Sequence, residues 1–213
     1  MQEYFTKRLL SQGLVKVIHN GIDTCKYAYN ESVRKEVRLL LGINEKKVLI
    51  HTGRFSEQKN QSFIVDVFAA LKRKCPGVAL LLLGIGPLQE AVEQKSRDLG
   101  LEHDVLFLGV KSDVYRYLNA ADCYIMPSLY EGLPVAAIEA QCSGLPCIFS
   151  KNITKEVDLT GDALFLGLDA PLESWTDCVI KCLDVDRKNC SDVIRLCKYD
   201  MQDVATEMQT FYL

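Results

Sequence analysis

The sequence is poor in the residue patterns that most often announce a chemistry. It has three histidines, His19, His51 and His103, too widely separated for zinc-site spacing. Its nine cysteines include no Cys-x-x-Cys pair. An odd number, with Cys123 and Cys147 inside apolar runs, reads as reduced core thiols of a cytosolic protein rather than a disulfide framework. Positive charge is not in excess: 25 lysines and arginines against 28 acids leave a formal net charge of −3, which excludes a generally basic nucleic-acid binder. The longest apolar run, GVALLLLGIGPL at 77–88, is much shorter than the roughly 20 residues that cross a bilayer. The opening MQEYFTKRLLSQG lacks the apolar centre of a secretory leader, so a soluble cytoplasmic protein is expected. Repeats, low-complexity tracts and linkers are missing too, which favours a single domain. No Gly-x-Gly-x-x-Gly follows the first strand candidate, and this argues against a dehydrogenase.

What is present is a rhythm. Of the 213 residues 48% are hydrophobic and 25% charged, and a chain of this length can bury about 70% of its unfolded surface without staples. Strand candidates are LVKVIH (14–19), KVLIHTG (47–53), VALLLLG (78–84), DVLFLG (104–109), DCYIMP (122–127) and PCIFS (146–150), with DALFLG (162–167) a weaker seventh. Between them Phe63, Ile64, Val67, Phe68 and Leu71 form a helical stripe. PLQEAVEQKSRDLG opens with a helix-starting proline and closes with a helix-stopping glycine, and SDVYRYLNAAD reads as a short helix capped by Ser112 or Asp113. A terminal helix is expected at 200–213. Strands that are apolar throughout fit a parallel sheet covered on both faces. The expected fold is therefore α/β, a doubly wound parallel sheet of about six strands with helices on both sides, whose ligands bind beyond the carboxyl ends of the strands.

The loops at those ends carry the candidate site. After the strand at 47–53, Gly53 permits a sharp turn, and Arg54 and Lys59 follow within one loop, a fork and a point charge suited to a diphosphate. In PSLYEGLPVAAIEAQC, Pro134 suits the first position of a helix, which leaves the amides of Val135 and Ala136 pointing out of its start as an anion site. Glu139 lies four residues beyond Val135, about 6 Å along the axis, where an acceptor-only carboxylate would meet a ribose diol. Glu131 precedes the helix, on the far side of the phosphates, where a sugar would project. Gly84 and the backbone of Val110, after the next two strands, are weaker candidates for the edge of a base.

With these residues together, the chain resembles the C-terminal, nucleotide-sugar-binding domain of group 1 (family 4) retaining glycosyltransferases of the GT-B fold, in the branch that builds exopolysaccharide or capsule. The matching stretches are VIHNGID (17–23), HTGRFSEQKN (51–60), LLLGIGPL (81–88), VLFLGVKSDV (105–114) and PSLYEGLPVAAIEAQCSGLPCI (127–148). The resemblance implies that Arg54 and Lys59, with Gly53 and the Val135 and Ala136 amides, bind the donor diphosphate. It implies that Glu139 binds the ribose, that the Val110 and Gly84 loops lie beside the base, and that Glu131 contacts the transferred sugar as the catalytic carboxylate. It further implies transfer with retention from a nucleotide sugar, UDP first among them, without cofactor or bound metal, in accord with the missing Asp-x-Asp. HNGID normally follows the connection between two Rossmann-like domains, so residues 1–213 are expected to form one donor-binding domain lacking the acceptor-binding half. Activity would then need that partner domain, membrane contact would come only through it, and the uncovered terminal helix could self-associate. Two alternatives remain: a non-catalytic nucleotide-binding module, and a sugar-nucleotide epimerase of GT-B type, which would need further acid–base groups.

Overall fold

A computed structural model of the chain describes residues 17–212. Six strands run at Lys47–Thr52 (β1), Val78–Leu83 (β2), Val105–Gly109 (β3), Cys123–Met126 (β4), Cys147–Ser150 (β5) and Leu164–Leu166 (β6). Helices occupy Thr24–Tyr27 (α1), Glu31–Leu41 (α2), Gln61–Lys74 (α3), Gln89–Asp98 (α4), Val114–Ala120 (α5), Val135–Cys142 (α6), Leu172–Leu183 (α7), Ser191–Leu196 (α8) and Met201–Tyr212 (α9). The strands are all parallel, in the order β3-β2-β1-β4-β5-β6, so the chain reverses its direction of winding between β1 and β4. The register of β2 on β3 slips between Leu82 and Leu83.

The period of two along each strand explains the layers. Val48 and Ile50 of β1 and Ala79, Leu81 and Leu83 of β2 face one core, with Val37 of α2, Leu118 of α5 and Ala137 and Ala140 of α6. Leu49, Val78, Leu80 and Leu82 face the other, against Ile64, Phe68 and Leu71 of α3 and Trp175 of α7. Trp175 meets Phe63 edge-on, ring centres 5.3 Å apart, and donates its indole N–H to Gly167 O at 3.0 Å, so it is the packing anchor its helix position suggests. Every residue of β2 is buried, as two-sided cover requires.

The expected strand at 14–19 is not formed where it can be seen: residues 17–19 are irregular, and 14–16 lie outside the described residues. The sixth strand is instead the weaker candidate at 162–167. The borders of the sheet are formed by the later segments β3 and β6. The HNGID stretch is stitched to the far end of the chain: Ile22 N donates to Tyr199 O at 2.7 Å and Met201 N to Ile22 O at 2.8 Å. Gly21 permits this, since a Cβ there would fall 2.7 Å from Met201 Cα. His19 stacks near Tyr199, ring centres 4.3 Å apart. Among the described residues no helix is long and apolar enough to cross a membrane.

One polar network holds α2 to the sheet. Arg34 and Arg38 of α2 reach the last-turn carbonyls of α5, Arg34 to Ala121 O at 2.7 Å and Arg38 to Ala120 O at 2.8 Å, where helix geometry leaves acceptors unpaired. Both guanidiniums also pair with Asp122, whose Oδ2 accepts from Val48 N at 2.7 Å. The carboxylate is 11% exposed, so Asp122→Ala leaves two guanidiniums and an amide facing a hole. We expect this substitution to cost on the order of 3–5 kcal/mol, read as a lower urea midpoint.

Candidate functional site

The reversal between β1 and β4 brings the loops that follow them side by side, and these are the loops that carry the singled-out acids and cations. Three hydrogen bonds join them: Leu129 N to Gln58 O at 2.8 Å, Gln58 Nε2 to Tyr130 O at 3.0 Å, and Asn60 Nδ2 to Pro127 O at 3.3 Å. Asn60 turns into α3 at φ 56°, a left-handed conformation that asparagine tolerates better than most residues. Asn152 Nδ2 supports the same loop from the β5 side through Leu129 O at 2.9 Å.

As a result Lys59 and Glu131 meet. Lys59 Nζ lies 2.6 Å from Glu131 Oε1, with the carboxylate only 9% exposed. The ammonium is the close charged partner of this buried Oε1. The two residues that sequence reasoning set on opposite jobs, diphosphate and sugar, are thus a direct pair. Arg54 stands apart: it is exposed and lines an open groove of about 750 Å³ with Gly84, Ile85, Gly86, Pro87, Gln89 and Val110. The candidates Arg54, Gly84 and Val110 therefore share one groove.

The glycines here serve close approach. A Cβ on Gly84, at φ +127°, would fall 2.1 Å from Gly53 O, and one on Gly86 would fall 2.3 Å from Phe55 O. A Cβ on Gly53 would press on His51 Nε2 at 3.2 Å and on Lys59 Cδ at 3.4 Å. The β1 and β2 loops can touch only because these positions are bare.

The α6 start differs by one position from expectation. Pro134 is the cap residue, at φ −73° and ψ 115°, and the helix begins at Val135. The physical reason is that the proline ring is equally compatible with an extended ψ, and Pro134 O accepts from Ala137 N at 3.0 Å. The amides of Val135 and Ala136 are still left without intrahelical acceptors. One turn along, the partly buried carboxyl of Glu139 is pushed up by desolvation, against the lowering effect of the nearby Tyr27 hydroxyl and of Lys26. Tyr27 was not foreseen; it lies 112 positions before Glu139, and no local pattern marks it. His51 and Gln61, beneath the Arg54 loop, were likewise not assigned to the site. Among the described residues no cluster of three or more His, Cys, Asp or Glu is placed to hold a metal ion.

Burial holds the His51 imidazole down, at about 4, and the nearby Lys59 charge pushes the same way against the bond to Ile125 O. A ring kept neutral when folded but free to protonate when unfolded gives stability that is full above its ordinary value and lost as pH falls towards 4. Between pH about 6.5 and 4, urea unfolding of the protein should lose roughly 3 kcal/mol more than that of His51→Asn.

Comparison with known proteins places this geometry. The model of the family described as glycosyl transferases group 1 matches residues 33–163, more than half of the chain. EpsF of Bacillus subtilis (strain 168), provisionally named a glycosyltransferase, is 39% identical over 169 residues, 78% of this chain and 44% of EpsF. The UDP-Gal:alpha-D-GlcNAc-diphosphoundecaprenol alpha-1,3-galactosyltransferase of Escherichia coli is 30% identical over 194 residues, 84% of this chain and 49% of that enzyme. The chain thus spans about half the length of the curated relatives it matches. Among solved structures, Anabaena HepE in complex with UDP and glucose superposes with a TM-score of 0.80 at 22% identity, covering 94% of this chain and 57% of HepE. The C-terminal domain of a group 1 family protein, LpcC of Francisella tularensis, superposes with a TM-score of 0.68 at 19% identity, over 85% of this chain and all of that one. The six-stranded parallel sheet has the Rossmann-like fold found in these glycosyltransferase structures, and by sequence the chain belongs to the group 1 glycosyl transferases.

Proposed function

We propose that residues 17–212 form the donor-binding half of a retaining glycosyltransferase that moves a sugar from a UDP-sugar to an acceptor in polysaccharide or glycolipid synthesis, with acceptor binding supplied by a second domain. The observation that carries this reading is the junction of the β1 and β4 loops, which sets Lys59, Glu131 and the bare α6 amides at one strand-end switch with the Arg54 groove on the β2 side. In it, Arg54, Lys59 and the amides of Val135 and Ala136, with Gly53 leaving room, hold the diphosphate. Glu139 takes the ribose hydroxyls in place of Tyr27. The base lies in the groove by Gly84 and Val110, and Glu131 faces the sugar.

The chemistry follows from charge. When the bond from the anomeric carbon to the diphosphate oxygen breaks, negative charge grows on the leaving phosphate and positive charge on the sugar. Fixed cations and helical amides stabilise the first, and a buried carboxylate stabilises the second. HepE, crystallised with UDP, and the Escherichia coli relative, named for a UDP-Gal donor and a diphosphoundecaprenol-linked acceptor, support UDP as the nucleotide and a lipid-linked acceptor. A cytosolic setting agrees with nine free thiols.

Calorimetry with UDP tests the reading. The wild-type chain should bind, Arg54→Ala and Lys59→Ala should each weaken binding about tenfold or more, and Glu139→Gln should weaken UDP but not inorganic pyrophosphate, which has no ribose. A wild type with no saturable heat, or cation variants that bind as it does, would refute the assignment.

A further inference from the structure

The first residue of α3, Gln61, is a buried amide (1% exposed) among apolar neighbours, directly under the loop that carries Arg54. Its Nε2 donates to Arg54 O at 2.9 Å and lies 3.4 Å from His51 Nε2. The protonation pattern of this contact is fixed by its far end. His51 Nδ1 is 2.8 Å from Ile125 O, and a carbonyl only accepts, so the ring hydrogen sits on Nδ1 and Nε2 presents a lone pair. The two hydrogens of the Gln61 amide then have one acceptor each. Reversing the amide would set Oε1 against the Arg54 carbonyl, two acceptors face to face.

The opposite edge of the same peptide is also held, because Phe55 N donates to Ile85 O at 3.1 Å. The Arg54–Phe55 peptide plane is therefore clamped at both of its polar atoms. The arrangement has a cost: Gln61 Oε1 is buried with no hydrogen-bond partner. A half-satisfied buried amide is a poor choice for packing alone, where leucine or methionine would fill the space without an orphaned oxygen. What the amide achieves is a fixed backbone beneath a side chain that has no fixed partner of its own, since Arg54 is exposed and no described residue pairs with its guanidinium.

We propose that Gln61, seated on His51, is a positioning residue for donor binding, which fixes the Arg54 carbonyl and so aims the Arg54 guanidinium into the groove it lines. This role rests on the donor-binding reading above. It extends the diphosphate seat to two residues that touch no substrate: His51 sets the hydrogen pattern, Gln61 transmits it, and Arg54 makes the contact. Orientation is the quantity at stake, because a bidentate guanidinium gains its second bond only when its plane meets the phosphate correctly.

The test is a double-mutant cycle read by UDP calorimetry on the full chain, with Gln61→Leu, Arg54→Ala and the combination; Gln61→Met replaces the leucine variant if that one does not fold. Gln61→Leu should bind UDP about tenfold more weakly with no fall in the urea midpoint, and should add nothing once Arg54 is alanine. In the same variant, without nucleotide, the carbonyl carbon-13 resonance of Arg54 should move upfield as its hydrogen bond is lost. Wild-type affinity in Gln61→Leu, an undiminished effect in the Arg54→Ala background, or an unmoved Arg54 resonance would each overturn the role while the donor reading stands. Failure of the wild type to bind UDP would instead overturn the donor reading, and this role with it.

Discussion

Three hydrogen bonds between the Gln58–Asn60 turn and the Pro127–Tyr130 segment are the constraint on which the rest of the candidate site depends. They form where neighbouring strands lead to helices on different faces, so the two loops part in opposite directions and leave a cleft. Without that junction Lys59 would be an ordinary loop lysine and Glu131 an acid in a turn. With it, both charges are drawn out of solvent into contact. Desolvating two ions is expensive, and a buried pair of this kind is weak evidence for stability. In the proposed donor site its value lies in keeping a cation and a carboxylate at fixed places.

The two cations thereby differ in kind. Lys59 is already engaged, so a phosphate that approaches it competes with, or is shared by, Glu131. Arg54 is uncommitted, and its backbone rather than its side chain is restrained. Around them the protein avoids spare charge: burial keeps His51 neutral and shifts the Glu139 carboxyl up, with the Tyr27 hydroxyl nearby. The proposed seat thus draws on few charges.

Much of this was legible before any coordinates. Apolar runs identified β1 to β5 because each is dominated by apolar residues, β2 without exception, and the spacing of Pro134, Val135 and Glu139 located α6 to within one residue. Legibility failed where a contact joins residues distant in sequence. Nothing near Tyr27 announces Glu139, nothing in HNGID announces Tyr199, and the Lys59–Glu131 contact comes from loop packing rather than from spacing. Residues 17–19 have the composition of a strand but run irregularly, next to a segment that pairs with Tyr199 and Met201 instead of with the sheet. DALFLG was undervalued because β6 is a three-residue strand whose residues are only half buried.

Those borders bear on how the molecule lives among copies of itself. An open sheet exposes rows of unpaired amides and carbonyls at each margin, and such margins invite polymerisation. Here one margin is too brief to template a second strand, and the other, β3, ends at Gly109 with φ 66° after the slip opposite Leu82 and Leu83, which interrupts any straight ladder. A nascent or crowded chain of this fold is accordingly guarded against growing into fibres at the very sheet that organises its cleft.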